Sequence, residues 1–406
     1  DDDSVAQEAN LLLDRLVRQG RAFGIHVLLG SQTLDGAYSL ARSTMGQMAV
    51  RVALQCSEAD SYIILDEDNA AARLLSRPGE AIYNDASGRI EGNSPFQIVW
   101  LGEGERDRQL TRITQRDGAE RSMVVYEGNR PVHMADNHEL KALLRDRPSE
   151  VPAVMRAWLG GAMAIKPDTA ATFRAASSSN LLLVGQQEED ITAMVAAGIR
   201  SIAAQCPRGD HEVSVTVLDG TPPDAPQAGV IAQTLEAIDM QTTRIDQRGL
   251  GDGLAALGEE LDRRIKEGPG PMRFLVINAA HRFRELRRSE DDFSFAVGED
   301  DTPPTPDKTL AKLLREGPIH GMHVILATDT LSNLSRLVDR HAIREFDLRV
   351  LMQMSANDST NLIDSPEAAR LGPRRALLFS EETGTIEPFR PYAAIDPHQT
   401  AATEGD

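Results

Sequence analysis

The strongest constraint on how this 406-residue chain can fold is internal. The stretch Arg18-Gln-Gly20-Arg21-Ala-Phe-Gly24-Ile-His26-Val-Leu-Leu-Gly30-Ser-Gln32 returns 297 residues later as Arg315-Glu-Gly317-Pro-Ile-His-Gly321-Met-His323-Val-Ile-Leu-Ala-Thr-Asp329. In each copy a helix ends, two glycines turn the chain, and a short apolar run leaves the turn. The register persists downstream. Ser57, Asp60, Ser61, Ile64, Leu65 and Asp66 match Ser355, Asp358, Ser359, Leu362, Ile363 and Asp364, and Ala71-Ala-Arg73-Leu74 matches Ala368-Ala-Arg370-Leu371. One domain type is therefore expected twice, complete only in the second copy.

The periodicities give the class of that domain. Val5, Ala9, Leu12, Leu13, Leu16 and Val17 recur at helical spacing, so residues 4–19 read as an amphipathic helix. Ile25 to Leu29 reads as a strand buried on both faces of a parallel sheet. Val50 to Leu54, Ala81 to Tyr83 and Pro95 to Leu101 supply further strands, and Ser57 caps the helix after it, with Asp60 three residues on. Residues 126–155 are polar and proline-bearing and read as a connector. The second copy begins near Trp158. It offers strands at Leu181–Val184, along Val213, Val215 and Val217, and at Phe274–Ile277, with a helix burying Ile191, Met194, Val195, Ile199 and Ile202. Alternating strands and helices mean α/β. Residues 289–308 carry Glu290, Asp291, Asp292, Glu299, Asp300 and Asp301, then Thr302-Pro-Pro-Thr-Pro306, and read as a disordered acidic excursion. The tail after Ile395 reads as loose.

Charge and cysteine content exclude whole classes. A net charge of −19 disfavours a broad basic surface for nucleic acid, though not a local basic groove. Two cysteines, Cys56 and Cys206, are too few for a disulfide framework and fit a reducing interior. No run approaches the ~18 apolar residues of a membrane span. No Cys/His spacing marks a metal site. The opening Asp1-Asp-Asp3 reads as the start of a piece of a longer protein.

An ATPase of this layout needs a P-loop, Gly-x-x-x-x-Gly-Lys-Ser/Thr, and an acidic pair ending an apolar strand. The second copy has both places but different residues. Its loop reads Gly185-Gln-Gln-Glu188-Glu189-Asp190-Ile191-Thr192, with Asp190 for the second glycine and Ile191 for the lysine. The strand Phe274-Leu-Val-Ile277 ends in Asn278-Ala279 instead of two carboxylates. Both losses predict a nucleotide-free copy.

At these residues the chain resembles the FtsK/SpoIIIE family of P-loop motors, within the wider FtsK–HerA group. Gly20 to Gln32 is similar to the segment after that family's second acidic motif. Val50-Arg51-Val-Ala-Leu, Ser57 to Leu65, Leu74-Leu75 and Gly79-Glu80-Ala81-Ile-Tyr83 follow in the family's order. The match covers about residues 5–100 well and about 160–390 more weakly. Ala164-Ile-Lys166-Pro-Asp and Asn180-Leu-Leu-Leu-Val-Gly185 are similar to the tandem EccC-like ATPases of type VII protein secretion. No winged-helix DNA-reading module follows the last domain, a departure from chromosome translocases.

The resemblance implies tandem RecA-like P-loop domains. Residues 1–125 would be the second half of a first ATPase domain, 126–155 a connector, 156–395 a degenerate second domain and 396–406 a disordered tail. It implies a cytoplasmic ATP-driven motor using ATP and magnesium in the parent protein, with this fragment inactive alone and no cofactor in the second domain. A ring-like oligomer of the chain would act on double-stranded DNA. The alternatives are a secreted or handled protein as cargo, or a non-catalytic scaffold, with a membrane component reached through upstream sequence. Gln32 would be the polar sensor at a strand's carboxyl end. Arg21, Arg51 and Arg73 would be trans arginine fingers. Arg51 and Arg73 recur as Arg349 and Arg370, so a shared structural role explains them equally well. His26 and His323, inside apolar runs, read as core histidines before ligands. The cluster His281-Arg-Phe-Arg-Glu-Leu-Arg-Arg288 reads as a solvated helix face paired with the acidic excursion just after it, with phosphate binding as the sharper alternative.

Overall fold

A computed structural model describes residues 4–32, 42–117, 130–164, 166–209, 212–288 and 304–393. They fall into two compact units, Asp1–Ser122 and Met123–Asp406.

The smaller unit opens with α1 (Ser4–Gln19) and a 3-10 turn, Gly20–Phe23. Gly24 closes this turn in the left-handed region, at φ 71°, where a residue without Cβ carries no steric penalty. After α2 (Arg42–Met45), a three-stranded antiparallel sheet follows in the order β1 (Arg51–Leu54), β2 (Glu80–Asn84), β3 (Asn93–Gln97). Between β1 and β2 lies α3 (Glu58–Ile64), capped by the Ser57 hydroxyl, which accepts from the Asp60 amide. The unit ends in α4 (Glu103–Asp117). Its buried cluster is small: Ala53, Leu65, Ala72 and Ile82. Ile25 to Leu29 forms no strand, contrary to the sequence expectation. Leu28 is 97% exposed, because the described residues of this unit offer the run no strand on either side. The strand expected to reach Leu101 stops at Gln97, leaving Val99 and Trp100 exposed.

The larger unit takes in the segment read as a connector. There α5 (His138–Arg145) buries Leu140 against Trp158 and Tyr392. A ten-stranded sheet follows, built from β4 (Met155–Ala162), β5 (Thr169–Phe173), β6 (Leu181–Val184), β7 (Ser214–Asp219), β8 (Gln241–Ile245), β9 (Arg273–Asn278), β10 (Met322–Thr328), β11 (Leu348–Leu351), β12 (Ala376–Ser380) and β13 (Thr385–Pro391). Their order is β5-β4-β13-β12-β11-β6-β10-β9-β7-β8. The run from β11 to β8 is parallel and the other wing antiparallel.

Helices α6 (Glu188–Ala204) and α7 (Val230–Glu236) cover one face through Ile191, Met194, Ile199 and Ile231. Helices α8 (Leu250–Glu267), α9 (Pro306–Glu316), α10 (Leu331–Leu337) and α11 (Ala356–Ile363) cover the other through Leu254, Leu261, Leu313, Leu334 and Leu362. Two-sided cover is what lets β6 be four consecutive leucine and valine residues, all buried. Pro306 starts α9 at its first turn, where a missing N–H costs nothing, so the end of the expected acidic excursion is helical. Its residues 289–303, and the tail from 394, lie outside the described residues.

The repeat is structural as well as sequential. Gly321 turns at φ 75°, as Gly24 does at 71°. Ser355 caps α11 through the Asp358 amide, as Ser57 caps α3. Ser359 Oγ accepts from Ala368 N, and Ser61 Oγ from Ala72 N. The Arg349 guanidinium donates to Leu362 O at 2.7 Å, and that of Arg51 to Ile64 O at 3.2 Å.

Candidate functional site

The carboxyl ends of the parallel strands converge, as register dictates. Thr328 lies beside Val184, Leu351 beside Val184, and Asp219 beside Asn278. In open α/β sheets ligands bind outside this edge. Gly185 leaves β6 here, and a Cβ on it would stand 2.3 Å from Met352 Cγ, so only glycine fits. Three residues later α6 begins with Glu188, Glu189 and Asp190 in its first turn, and the Gln187 side chain provides no cap. Carboxylates suit a helix N-terminus, whose unpaired amides carry about half a positive charge.

Glu188 and Asp190 are engaged by the protein. Glu188 accepts from Arg282 Nη2 at 3.0 Å and from Gln227 Nε2 at 3.0 Å. Burial pushes the Asp190 carboxyl above its ordinary range, against the pull of Arg374. Across the cleft, Asn278 Nδ2 donates to Thr221 Oγ1 at 3.0 Å and to Asp219 Oδ1 at 3.1 Å, and lies 3.4 Å from Thr192 Oγ1. Ala279 follows in the left-handed region at φ 51°, unusual for a residue with Cβ, and swings the chain away from the sheet edge.

At the end of β10, Asp329 accepts twice from Asn333 Nδ2, at 2.9 Å each. Burial alone would raise its carboxyl; the Asn333 hydrogen bonds, His281 and Thr330 together hold it below the usual range. His281 stands 3.5 Å from Asp329 Oδ1 and 3.9 Å from Glu188 Oε1. Burial lowers its pKa ahead of the opposing pull of Asp329. The cavity left among Gly185, Glu188, Thr192, Thr221, Asn278, His281 and Asp329 measures ≈ 10 Å³. That is room for about one water, against roughly 300 Å³ or more for a ligand pocket.

The structure gathers Gly185, Ile191, Thr192, Asn278 and Ala279 around this one cavity, as their sequence positions imply, with Asp190 in the next position of the same turn. It adds Thr221 and Gln227, which sequence reasoning missed, and His281 with Arg282 bound to Glu188, which sequence reasoning placed in a basic cluster and not at this cleft. The Arg282 cluster is not a helix face: it breaks into two 3-10 turns, Ala280–Arg282 and Arg284–Leu286, because Phe283 and Leu286 are buried.

In the smaller unit, Gln32, Arg21 and Arg73 are exposed. Arg73 pairs with Glu58. Arg51 spends its guanidinium on Met48 O, Ile64 O and Leu65 O. His323 is 1% exposed, its Nδ1 2.7 Å from Ser179 O and its ring stacked on Phe274, a core histidine as expected. Its counterpart His26 is exposed. Among the described residues no group of three or more His, Cys, Asp or Glu could hold a metal, and no helix is long and apolar enough to cross a membrane.

No protein-family model and no curated protein matches the chain. Solved structures do. The cytoplasmic domain of the Thermomonospora curvata type VII secretion ATPase EccC aligns at TM-score 0.59 and 15% identity, covering 96% of this chain and 46% of that one. T. curvata EccC (ATPases 2 and 3) in complex with a signal sequence peptide aligns at 0.48 and 13%, covering 95% and 65%. The cytoplasmic domain of EssC aligns at 0.47 and 14%, covering 96% and 75%. The fold assignment rests on the first, and it agrees with the P-loop motor architecture that the repeated motifs resemble. The chain spans about half the length of that structure.

Proposed function

We propose that this chain, folded like part of a type VII secretion ATPase, belongs to an ATP-driven motor in which the larger unit binds no nucleotide and serves regulation or substrate binding. The observation that carries the reading is the closed strand edge: ≈ 10 Å³ of space, with Glu188 already holding Arg282. A triphosphate and its magnesium do not fit these residues. There is no P-loop lysine, Asn278 and Ala279 offer no carboxylate for the metal, and Glu188, Glu189 and Asp190 would face the phosphates. Each like-charge pair at ~4 Å costs about 1 kcal/mol in water and about 4 near a protein surface.

Hydrolysis then belongs to the domain whose second half is the smaller unit, with ATP and magnesium bound by residues other than these. There Gln32 is the sensor. Of the three arginines, Arg21 is the best placed to act as a finger on a neighbouring subunit of a ring: it is exposed, whereas Arg51 is tied to carbonyls and Arg73 to Glu58. The cargo is a protein segment, the reading favoured by the kind of ATPase the fold matches and by the net charge of −19. Double-stranded DNA is the second reading, resting on the FtsK-type motifs around Gln32.

Calorimetric titration of Mg-ATP into this chain tests the first claim, with no binding expected up to millimolar nucleotide. Micromolar binding that is lost in a Thr192→Ala chain would overturn it. For the cargo, ATP hydrolysis by the longer protein should rise with an exported peptide and not with duplex DNA.

A further inference from the structure

The stretch that supplies Arg282 to the closed site also carries arginines that do nothing there. Phe283 and Leu286 anchor their turn in the core, at 5% and 0% exposure, and so force Arg284, Arg287 and Arg288 outward. The Arg288 amide donates to Arg336 O at 2.9 Å, which brings in the end of α10, where Leu334 and Leu337 are buried and Arg336 is exposed. None of these four guanidinium groups has an ion-pair or side-chain hydrogen-bond partner among the described residues. Arg282, two residues before Arg284, does, in Glu188. Glu285 is the acidic residue on the same turn. Four arginines without such partners among the described residues thus stand exposed on a chain of net charge −19.

We propose that Arg284, Arg287, Arg288 and Arg336 form a docking surface for a carboxylate-rich protein segment. Guanidinium forks match carboxylates bidentately and are weakly hydrated, so an exposed cluster of them recognises such groups better than lysines would. A nucleic acid fits less well. A duplex carries one charge per about 1.7 Å, so its phosphates would run past this small patch onto an acidic body within a Debye length of about 8 Å. No exposed aromatic side chain accompanies the arginines on their turn to stack a base, since Phe283 is buried.

The test is fluorescence anisotropy on the full chain with a labelled poly-glutamate peptide and, in parallel, a labelled DNA duplex. The peptide should bind at low salt and weaken as salt rises. A chain carrying Arg284→Gln, Arg287→Gln, Arg288→Gln and Arg336→Gln should bind it at least about tenfold more weakly. These four are surface positions, so an unchanged circular dichroism spectrum is expected, and Arg315→Gln, at an exposed arginine already paired with Glu316, is the control. Neutralising Glu290, Asp291, Asp292, Glu299, Asp300 and Asp301 should leave peptide binding equal or tighter. Failure of the peptide to bind both the natural and the neutralised chain overturns the proposal. So does equal binding by the four-arginine variant, or a preference for the duplex.

Discussion

The same apolar run appears in both units with opposite fates. In the larger unit Met322–Thr328 is β10, hydrogen-bonded between β6 and β9, every residue buried. In the smaller unit Ile25 to Leu29 is irregular, and Leu28 is 97% exposed where its counterpart Ile325 is 2% exposed. Yet the turn in front of both runs is the same, down to the left-handed glycine and the backbone hydrogen bonds from Ile25 N to Gly20 O and from Met322 N to Gly317 O, 2.9 Å each. A turn satisfies its hydrogen bonds within a few residues. A central parallel strand has no local partner and needs two distant strands before it can form. The pair therefore separates what neighbouring residues dictate from what the sheet imposes.

The comparison breaks most sharply at Leu28 and Ile325. Ile325→Ala should destabilise the larger unit by about 2–5 kcal/mol, through lost burial and the cavity left behind. Leu28→Ala should change the smaller unit by less than about 0.5 kcal/mol, as a surface substitution does. Denaturant unfolding with hydrogen exchange assigned to each unit reads both, and equal effects would mean that the two runs share one environment.

A second contrast is in pH. Burial among Phe173, Phe274 and the sheet lowers the His323 pKa to about 4, ahead of the opposing hydrogen bond to Ser179 O. Below about pH 6.5 the unfolded chain takes up a proton that the folded unit refuses. Stability present above that pH should then fall, by up to about 1.4 kcal/mol per unit, until about pH 4, and level off below. In a His323→Phe chain that slope should be gone, whereas His26→Phe, at an exposed position, should leave it in place.

The smallest expected difference is at the caps, and here the units should agree. Ser57→Ala and Ser355→Ala each remove the acceptor for one helix amide, at 3.1 Å in both cases, and each should cost about 1 kcal/mol. Unequal costs, measured as unfolding free energies, would show that the two caps are not equivalent.

The candidate site divides along the same line. Gly185, Asp190, Ile191, Asn278 and Ala279 were legible because Gly185 keeps, and each of the others replaces, a residue that a known loop or strand end requires at a fixed spacing. Arg282 and His281 were not. Their partners, Glu188 and Asp329, are far away in sequence, and a run of arginines has no period that reveals which one turns inward. The same cluster was misread as a helix face, since Phe283 and Leu286 at a spacing of three suit a 3-10 turn as well as an α-helix.

By itself the sequence determined the duplication, the α/β class, the glycine turns and the serine caps, all of which depend on residues within a turn or two of each other. Only the tertiary structure decided which apolar run became a strand, which arginine met a carboxylate, and how little space was left at the strand ends. Each of these depends on groups brought together from distant parts of the chain, and neighbouring residues carry no record of that encounter.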